Sequence, residues 1–351
     1  MYNLNETTIF NLIAIFIGIL YGIIAQRKQF CFSGGIKDLI LFKHTRRTAS
    51  LIVAITTAIF STQILSYIYD INLIQTRYYI NINYLFIILG GAMFGYGMMI
   101  SDGCSSRHLI KFAQKDKESL YILLTLGIFS YITYSLLSYY SNQLNTYSII
   151  TFLKVNHSFT VPYFIVAVIL LYLLYKSLNK CVNILQCWDG FLIGLIISFV
   201  WFYTSIIAND LFLDIPSQSL SFVYPLGKII QTFQSGFEQS NLIFSVWIVF
   251  GVIIGAFISS LTNPTYSKKL QCDNSQQNPP KLSKKIFGGA MMGIGGILAV
   301  GCTVGQGLSG VSTLSFASFL AIGSIYISAY ITAKKMQKNN SLIACFIFDF
   351  K

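Results

Sequence analysis

Gly90-Gly91-Ala92-Met93-Phe94-Gly95-Tyr96-Gly97-Met98-Met99-Ile100-Ser101-Asp102-Gly103-Cys104 returns 198 positions later as Gly288-Gly289-Ala290-Met291-Met292-Gly293-Ile294-Gly295-Gly296-Ile297-Leu298-Ala299-Val300-Gly301-Cys302. Eight of the fifteen positions are identical without a gap, the closing Gly-Cys among them. A glycine-studded apolar segment at matching places in two halves marks an internal repeat in a chain that crosses a membrane several times. Both copies end on a cysteine, so Cys104 and Cys302 say where a site should be sought.

Composition agrees. Residues are 54% hydrophobic and 10% charged, against roughly 25% charged in an ordinary soluble domain, and mean hydropathy is positive. A water-soluble globule is excluded. A helix needs about 20 apolar residues to span a bilayer. Charge-free runs lie between Glu6 and Arg27, Arg47 and Asp70, Arg77 and Asp102, Glu118 and Lys154, Lys154 and Lys176, Asp189 and Asp210, and Glu238 and Lys268. Another, 286–333, is 48 residues long, enough for two spans joined by an uncharged turn. The sequence therefore predicts an all-α polytopic membrane protein of about nine transmembrane helices. The first run is expected to be a retained helix and not a signal peptide, because residues 1–6 carry an acid and no base.

The formal net charge of +12 is not a nucleic-acid footprint. Basic residues gather at 27–47, 107–117, 176–180, 268–285 and 334–338, and are sparse near 70–77, 154–157 and 210–238. That alternation follows the positive-inside rule and predicts the N-terminus outside and the C-terminus in the cytoplasm. The first copy then ends the third span and the second ends the eighth, an odd number of steps apart. The copies run in opposite directions, an inverted-topology repeat. The halves read as 1–175 and 188–338, with a connector at 176–187 and a C-terminal tail at 339–351. The polar stretch 263–280 reads as a flexible connector.

Small residues let transmembrane helices approach closely, and packing is one reading of Gly90, Gly91, Gly95, Gly97 and their partners. The residues beyond these glycines ask for more. Gly103-Cys104-Ser105-Ser106 and Gly301-Cys302-Thr303-Val304-Gly305-Gln306-Gly307 make poor continuous helix and read as breaks. Backbone leaves a helix at membrane depth only where it is buried or lines a watery path. Broken ends offer free N–H groups and a positive dipole to an anion. The candidate binding residues are thus Cys104 and Cys302, supported by Gly103, Ser105, Gly301, Thr303, Gly305 and Gln306. Cys31, in Gln29-Phe30-Cys31-Phe32-Ser33-Gly34-Gly35, is a third thiol before small residues; the segment 221–227 is its expected counterpart. Cys181, Cys187 and Cys345 read as small hydrophobes, and Cys272 as a reduced loop thiol. Asp102 reads equally as a relay inside the membrane or an interfacial carboxylate, and Arg107 and His108 as part of a basic loop. There is no C-x-x-C pair, cofactor fingerprint or ATP-binding motif, so no cofactor is expected.

These residues carry a resemblance. Phe30-Cys31-Phe32, Asp102-Gly103-Cys104 and the run from Gly301 through Gly310, spread over most of residues 10–335, resemble the YeeE/YedE family of sulfur-compound transporters. The resemblance implies an hourglass-shaped inverted repeat in the bacterial inner membrane. It implies a central path lined by three cysteines, matched here by Cys31, Cys104 and Cys302, with thiosulfate as the imported anion. It also implies a TusA-like cytoplasmic sulfur carrier as a partner. Many members repeat a Gly-Cys-Thr-x-Gly-like run in both halves, whereas Cys104 is followed by Ser105-Ser106-Arg107-His108. That departure leaves another reduced sulfur or selenium species open as cargo.

Thiols suit such cargo. A neutral S–H donates a weak hydrogen bond to an anion without repelling it. A lysine would hold the ion too tightly for a path that must admit and release it. The expected function is a non-enzymatic importer that passes a small sulfur anion along neutral thiols and backbone N–H groups, in contact with the lipid bilayer and with no nucleic acid. A second reading pairs Cys104 with Cys302 in a membrane thiol–disulfide oxidoreductase, Cys31 acting as resolving thiol.

Overall fold

A computed structural model describes residues 2–42, 45–143, 154–178, 187–208, 216–236, 243–262 and 280–342. The 176–187 connector (apart from its two ends), the stretch 263–279, most of the tail, and Cys181, Cys272 and Cys345 lie outside the described residues.

Helices dominate, as a chain of uncharged apolar runs requires: backbone polar groups in a bilayer must be satisfied within the segment. In chain order they are α1 (Tyr2–Lys28), α2 (Phe32–Leu41), α3 (Arg46–Ile68), α4 (Tyr84–Ile100), α5 (Ser105–Ala113), α6 (Lys117–Gln143), α7 (Tyr163–Leu178), α8 (Trp188–Phe202), α9 (Val223–Gln234), α10 (Phe244–Thr262), α11 (Leu282–Leu298) and α12 (Phe316–Lys338). A π-helical turn, Tyr203–Ile207, prolongs α8, and another, Gly305–Gly310, precedes α12. Among the described residues, seven helical stretches are long and apolar enough to cross a membrane. The nine expected spans exceed that number because α7 and α11, at 16 and 17 residues, fall short of the roughly 20 that a full crossing takes. The chain is a multi-pass helical membrane protein. Its strands among the described residues are two four-residue segments, β1 (Ile80–Asn83) and β2 (Lys154–His157), antiparallel with Ile80 opposite His157.

Glycines set how the helices meet. Gly18 lies against Ile248 and Gly251, and Gly22 against Val252 and Ala256, so α1 and α10 run parallel in backbone contact. In the same way Gly190 lies against Ser50, and Gly194 against Ala54 and Ala58, which sets α8 parallel to α3. The two copies of the sequence repeat, on α4 and α11, pack on each other antiparallel. A Cβ on Gly295 would stand 2.5 Å from the Gly90 carbonyl oxygen, and one on Gly97 would stand 2.5 Å from that of Gly288. The next glycines along each copy face outward to matching neighbours: Gly91 and Gly95 to α12, Gly289 and Gly293 to α6. Packing was the right reading of these glycines.

Three short helices, α2, α5 and α9, of 10, 9 and 12 residues, sit between the long ones. Each begins just after a break in the buried interior, and the breaks before α2 and α5 carry Cys31 and Cys104.

Candidate functional site

The breaks before Cys31, Cys104 and Cys302 share one construction. Two residues ahead of each cysteine the backbone turns left-handed, at Gln29 (φ 53), Asp102 (φ 66) and Val300 (φ 60). One residue ahead, an N–H reaches back five positions: Phe30 to the Ala25 carbonyl at 3.2 Å, Gly103 to Met98 at 3.0 Å, Gly301 to Gly296 at 2.8 Å. This 6→1 bond with a left-handed residue before it is a Schellman termination. The cysteine then restarts the helix, its carbonyl accepting from the N–H four residues on: Gly35, His108 and Gln306. Cys31 Sγ also accepts the Gly34 N–H at 3.4 Å, and Cys302 Sγ the Gly305 N–H at 3.3 Å. Cys104 makes no such cap; its Sγ lies 3.3 Å from Ser106 Oγ, as Cys31 Sγ lies 3.1 Å from Ser33 Oγ.

All three thiols are buried and free. Cys31 and Cys104 line one cavity, whose wall also carries Phe30, Ser106, Thr303 and Val304. Thr303 Oγ1 makes no hydrogen bond within the protein. Cys302 is one residue from this wall and turns toward the 216–222 segment. A Cβ on Gly305 would lie 3.2 Å from Ser221 Oγ and 3.7 Å from Cys302 Sγ, so Ser221 and Cys302 both border Gly305.

The supporting residues divide. Gly103 leaves the space that Arg107 and His108 occupy, and Gly301 that for Gln306. The Gln306 amide donates to the Ala299 carbonyl at 2.5 Å, closing the end of α11, a structural task. Ser105 is buried with its hydroxyl unbonded and is not on the cavity wall; Ser106, which sequence reasoning passed over, is. The Cys-x-Ser spacing at Cys31 and Cys104 was the available signal.

A second cavity opens on the other side of Cys31, lined by Ser33, Lys37, Arg47, Asp102 and Arg107 among others. Here the structure corrects an expectation. Arg107 and His108 are not in a basic loop but on α5, with 2% and 1% of their surface exposed. Lys37, Arg47 and Lys111, which charge counting places with the loops, are buried as well. Asp102 explains part of this: it takes an ion pair from Lys37 on one carboxylate oxygen and one from Lys111 at 2.6 Å on the other. Arg47 pairs with Asp38 at 3.3 Å and donates to Gln29 Oε1 at 3.0 Å. Charges inside a membrane protein persist when paired and facing a cavity.

A multi-pass helical protein whose broken helices bring thiols to one cavity and buried cations to the next is a membrane transporter. More narrowly, the chain belongs to the sulphur transport family, whose profile matches residues 27–331. Among its relatives is the thiosulfate transporter TsuA of Escherichia coli (strain K12), 24% identical over 339 residues, covering 87% of this chain and 88% of the relative. The thiosulfate transporter TsuA of Spirochaeta thermophila is 24% identical over 331 residues, covering 88% of this chain and 93% of its own.

Proposed function

We propose that the protein imports thiosulfate across the bacterial inner membrane, with its C-terminus in the cytoplasm, and that Cys31, Cys104 and Cys302 are the stations of the path. The observation that carries this is the common construction of the three breaks, which sets each sulfur at a helix restart. Cys31 and Cys104 thereby share one cavity with Thr303. Thiols are weak donors, able to recognise a terminal sulfur and to let it go. The restarted helices add N–H groups at their positive ends. Thr303 and Ser106 assist at the wall, Gly305 offers its N–H to Cys302 Sγ, and transport is the whole activity, without a catalysed reaction.

The halves 1–175 and 188–338 are read as inverted repeats. What supports this is the matched packing: α1 on α10 and α8 on α3, α4 with α12 and α11 with α6, and α4 with α11 itself at the centre. A TusA-like sulfur carrier is the partner proposed for the cytoplasmic face.

The test is uptake of labelled thiosulfate in cells stripped of their own sulfate and thiosulfate importers. Wild type is expected to accumulate label. Cys104→Ala and Cys302→Ala, at matched membrane abundance, are expected to lose about 90% of it or more, on the order of the 1.4 kcal/mol that a tenfold change represents. Normal uptake by both variants sinks the thiol path. No uptake by abundant wild type moves the cargo to another reduced sulfur or selenium species.

A further inference from the structure

We propose that the cavity behind Cys31 is a second anion station, built from Lys37, Arg47 and Arg107, in which Asp102, held from behind by Lys111, is a resident competitor that makes the anion leave. The proposal rests on the transport reading for its direction of use, but not for its chemistry.

Among the described residues the cluster carries more positive than negative side chains. Four cations, Lys37, Arg47, Arg107 and Lys111, none more than 7% exposed, stand with two carboxylates, Asp38 and Asp102. Excess charge of one sign in a low-dielectric interior is costly unless a counter-ion shares the space. A dianion entering the cavity would bring the cluster to neutrality. The site is made and not accidental: Gly34 lacks the Cβ that would stand 2.7 Å from the Arg47 guanidinium, and Gly103 lacks one that would crowd the Arg107 stem at 3.1 Å. Cys31 and Ser33 belong to this wall as well, and Cys31 also belongs to the thiol cavity, so the two spaces meet at one sulfur.

Asp102 supplies what a cationic pocket lacks, a means of release. Its two oxygens are taken up by two lysines, one each. An arriving oxyanion must draw Lys37 off the carboxylate, and the carboxylate draws it back. Lys37 therefore never offers its full attraction to the cargo, which answers the objection that a bare lysine in the membrane would trap it. The backbone agrees with the choice of residue: at φ 66, Asp102 is in the left-handed region, where Asp and Asn are the side chains tolerated best after glycine. Asp102→Asn thus removes the charge without straining the turn.

The station should read charge and not softness, so sulfate serves as the probe. Binding of labelled sulfate to the purified full-length protein in detergent is measured by equilibrium dialysis. Wild type is expected to bind sulfate in a salt-sensitive manner, displaced by thiosulfate. Lys37→Met and Lys37→Gln are each expected to weaken binding about tenfold, and Asp102→Asn to tighten it about tenfold, the change that 1.4 kcal/mol of freed attraction gives. In cells, Asp102→Asn is expected to lower both the KM and the maximal rate of uptake, a pairing that loss of structure does not produce. Sulfate binding that is absent in wild type, indifferent to the lysine variants, or unchanged or weakened in Asp102→Asn overturns the proposal. Because binding is read with sulfate on purified protein, this result stands apart from the uptake of thiosulfate by the cysteine variants.

Discussion

Val300 holds a backbone angle that β-branched residues almost never take, φ 60, to end α11 two positions before Cys302. The left-handed conformation costs an L-residue roughly 1–2 kcal/mol, whereas glycine there forfeits only about 0.5–1 kcal/mol of backbone entropy. Val300→Gly is therefore expected to leave the fold intact and to raise thermal stability by about 0.5–1 kcal/mol, read as a higher melting temperature in detergent. A marked fall would mean that the valine side chain, and not the turn, holds the break open. At this scale the sequence was half legible. Gly-Cys announced the breaks at Cys104 and Cys302, because glycine is the visible sign of an interrupted helix. Nothing in the letters Gln29 or Val300 announces a left-handed residue, and Asp102 permits one without requiring it. The inward turn of Lys37, Arg47, Arg107 and Lys111 was equally hidden. Charge counting assigns a lysine to a loop, whereas its place is decided by a carboxylate 65 positions away, in the case of Lys37.

Among the elements, the crossing of α4 and α11 leaves no room for a side chain. A Cβ at Gly295 would meet the Gly90 carbonyl oxygen at 2.5 Å and the Phe94 nitrogen at 2.6 Å, both backbone atoms that no rotamer change can remove. Overpacking costs about 1–3 kcal/mol even where side chains can yield. Gly295→Leu is thus expected to abolish folded protein, seen as loss of a monodisperse peak in detergent chromatography. Gly323, on α12, has nothing within 4 Å of its missing Cβ, and Gly323→Ala should be neutral or stabilising by up to about 1 kcal/mol through helix propensity. Equal damage from both would show that glycine content, not the crossing, is what matters. Most of the elements were readable, since a run of uncharged apolar residues has one stable form in lipid. The span count was less so: α7 and α11 are helices inside predicted runs, but a run's length does not say how much of it is helical.

Among the described residues, the principal helix contacts join the two proposed halves. Helix α1 rests on α10, α3 on α8, α6 on α9 and α11, and α4 on α11 and α12, while α2–α3, α3–α7 and α5–α6 are lesser contacts within a half. Residues 1–178 and 187–351 expressed separately are expected to be degraded, and their coexpression to restore both membrane abundance and uptake, followed by immunoblot and label. A half that accumulates alone would refute the interlocked arrangement. The backbone contact at the middle of this arrangement also bears on motion. Two helices that touch main chain to main chain, each flanked by a further close neighbour, have no slack in which to slide, and packed interiors do not deform smoothly. Rocking one half against the other would tear this spine open. On the proposed transport reading, the residues at each cysteine turn are then the parts expected to move, on the ns–μs scale of loops and not the μs–ms scale of domains, while the scaffold keeps still.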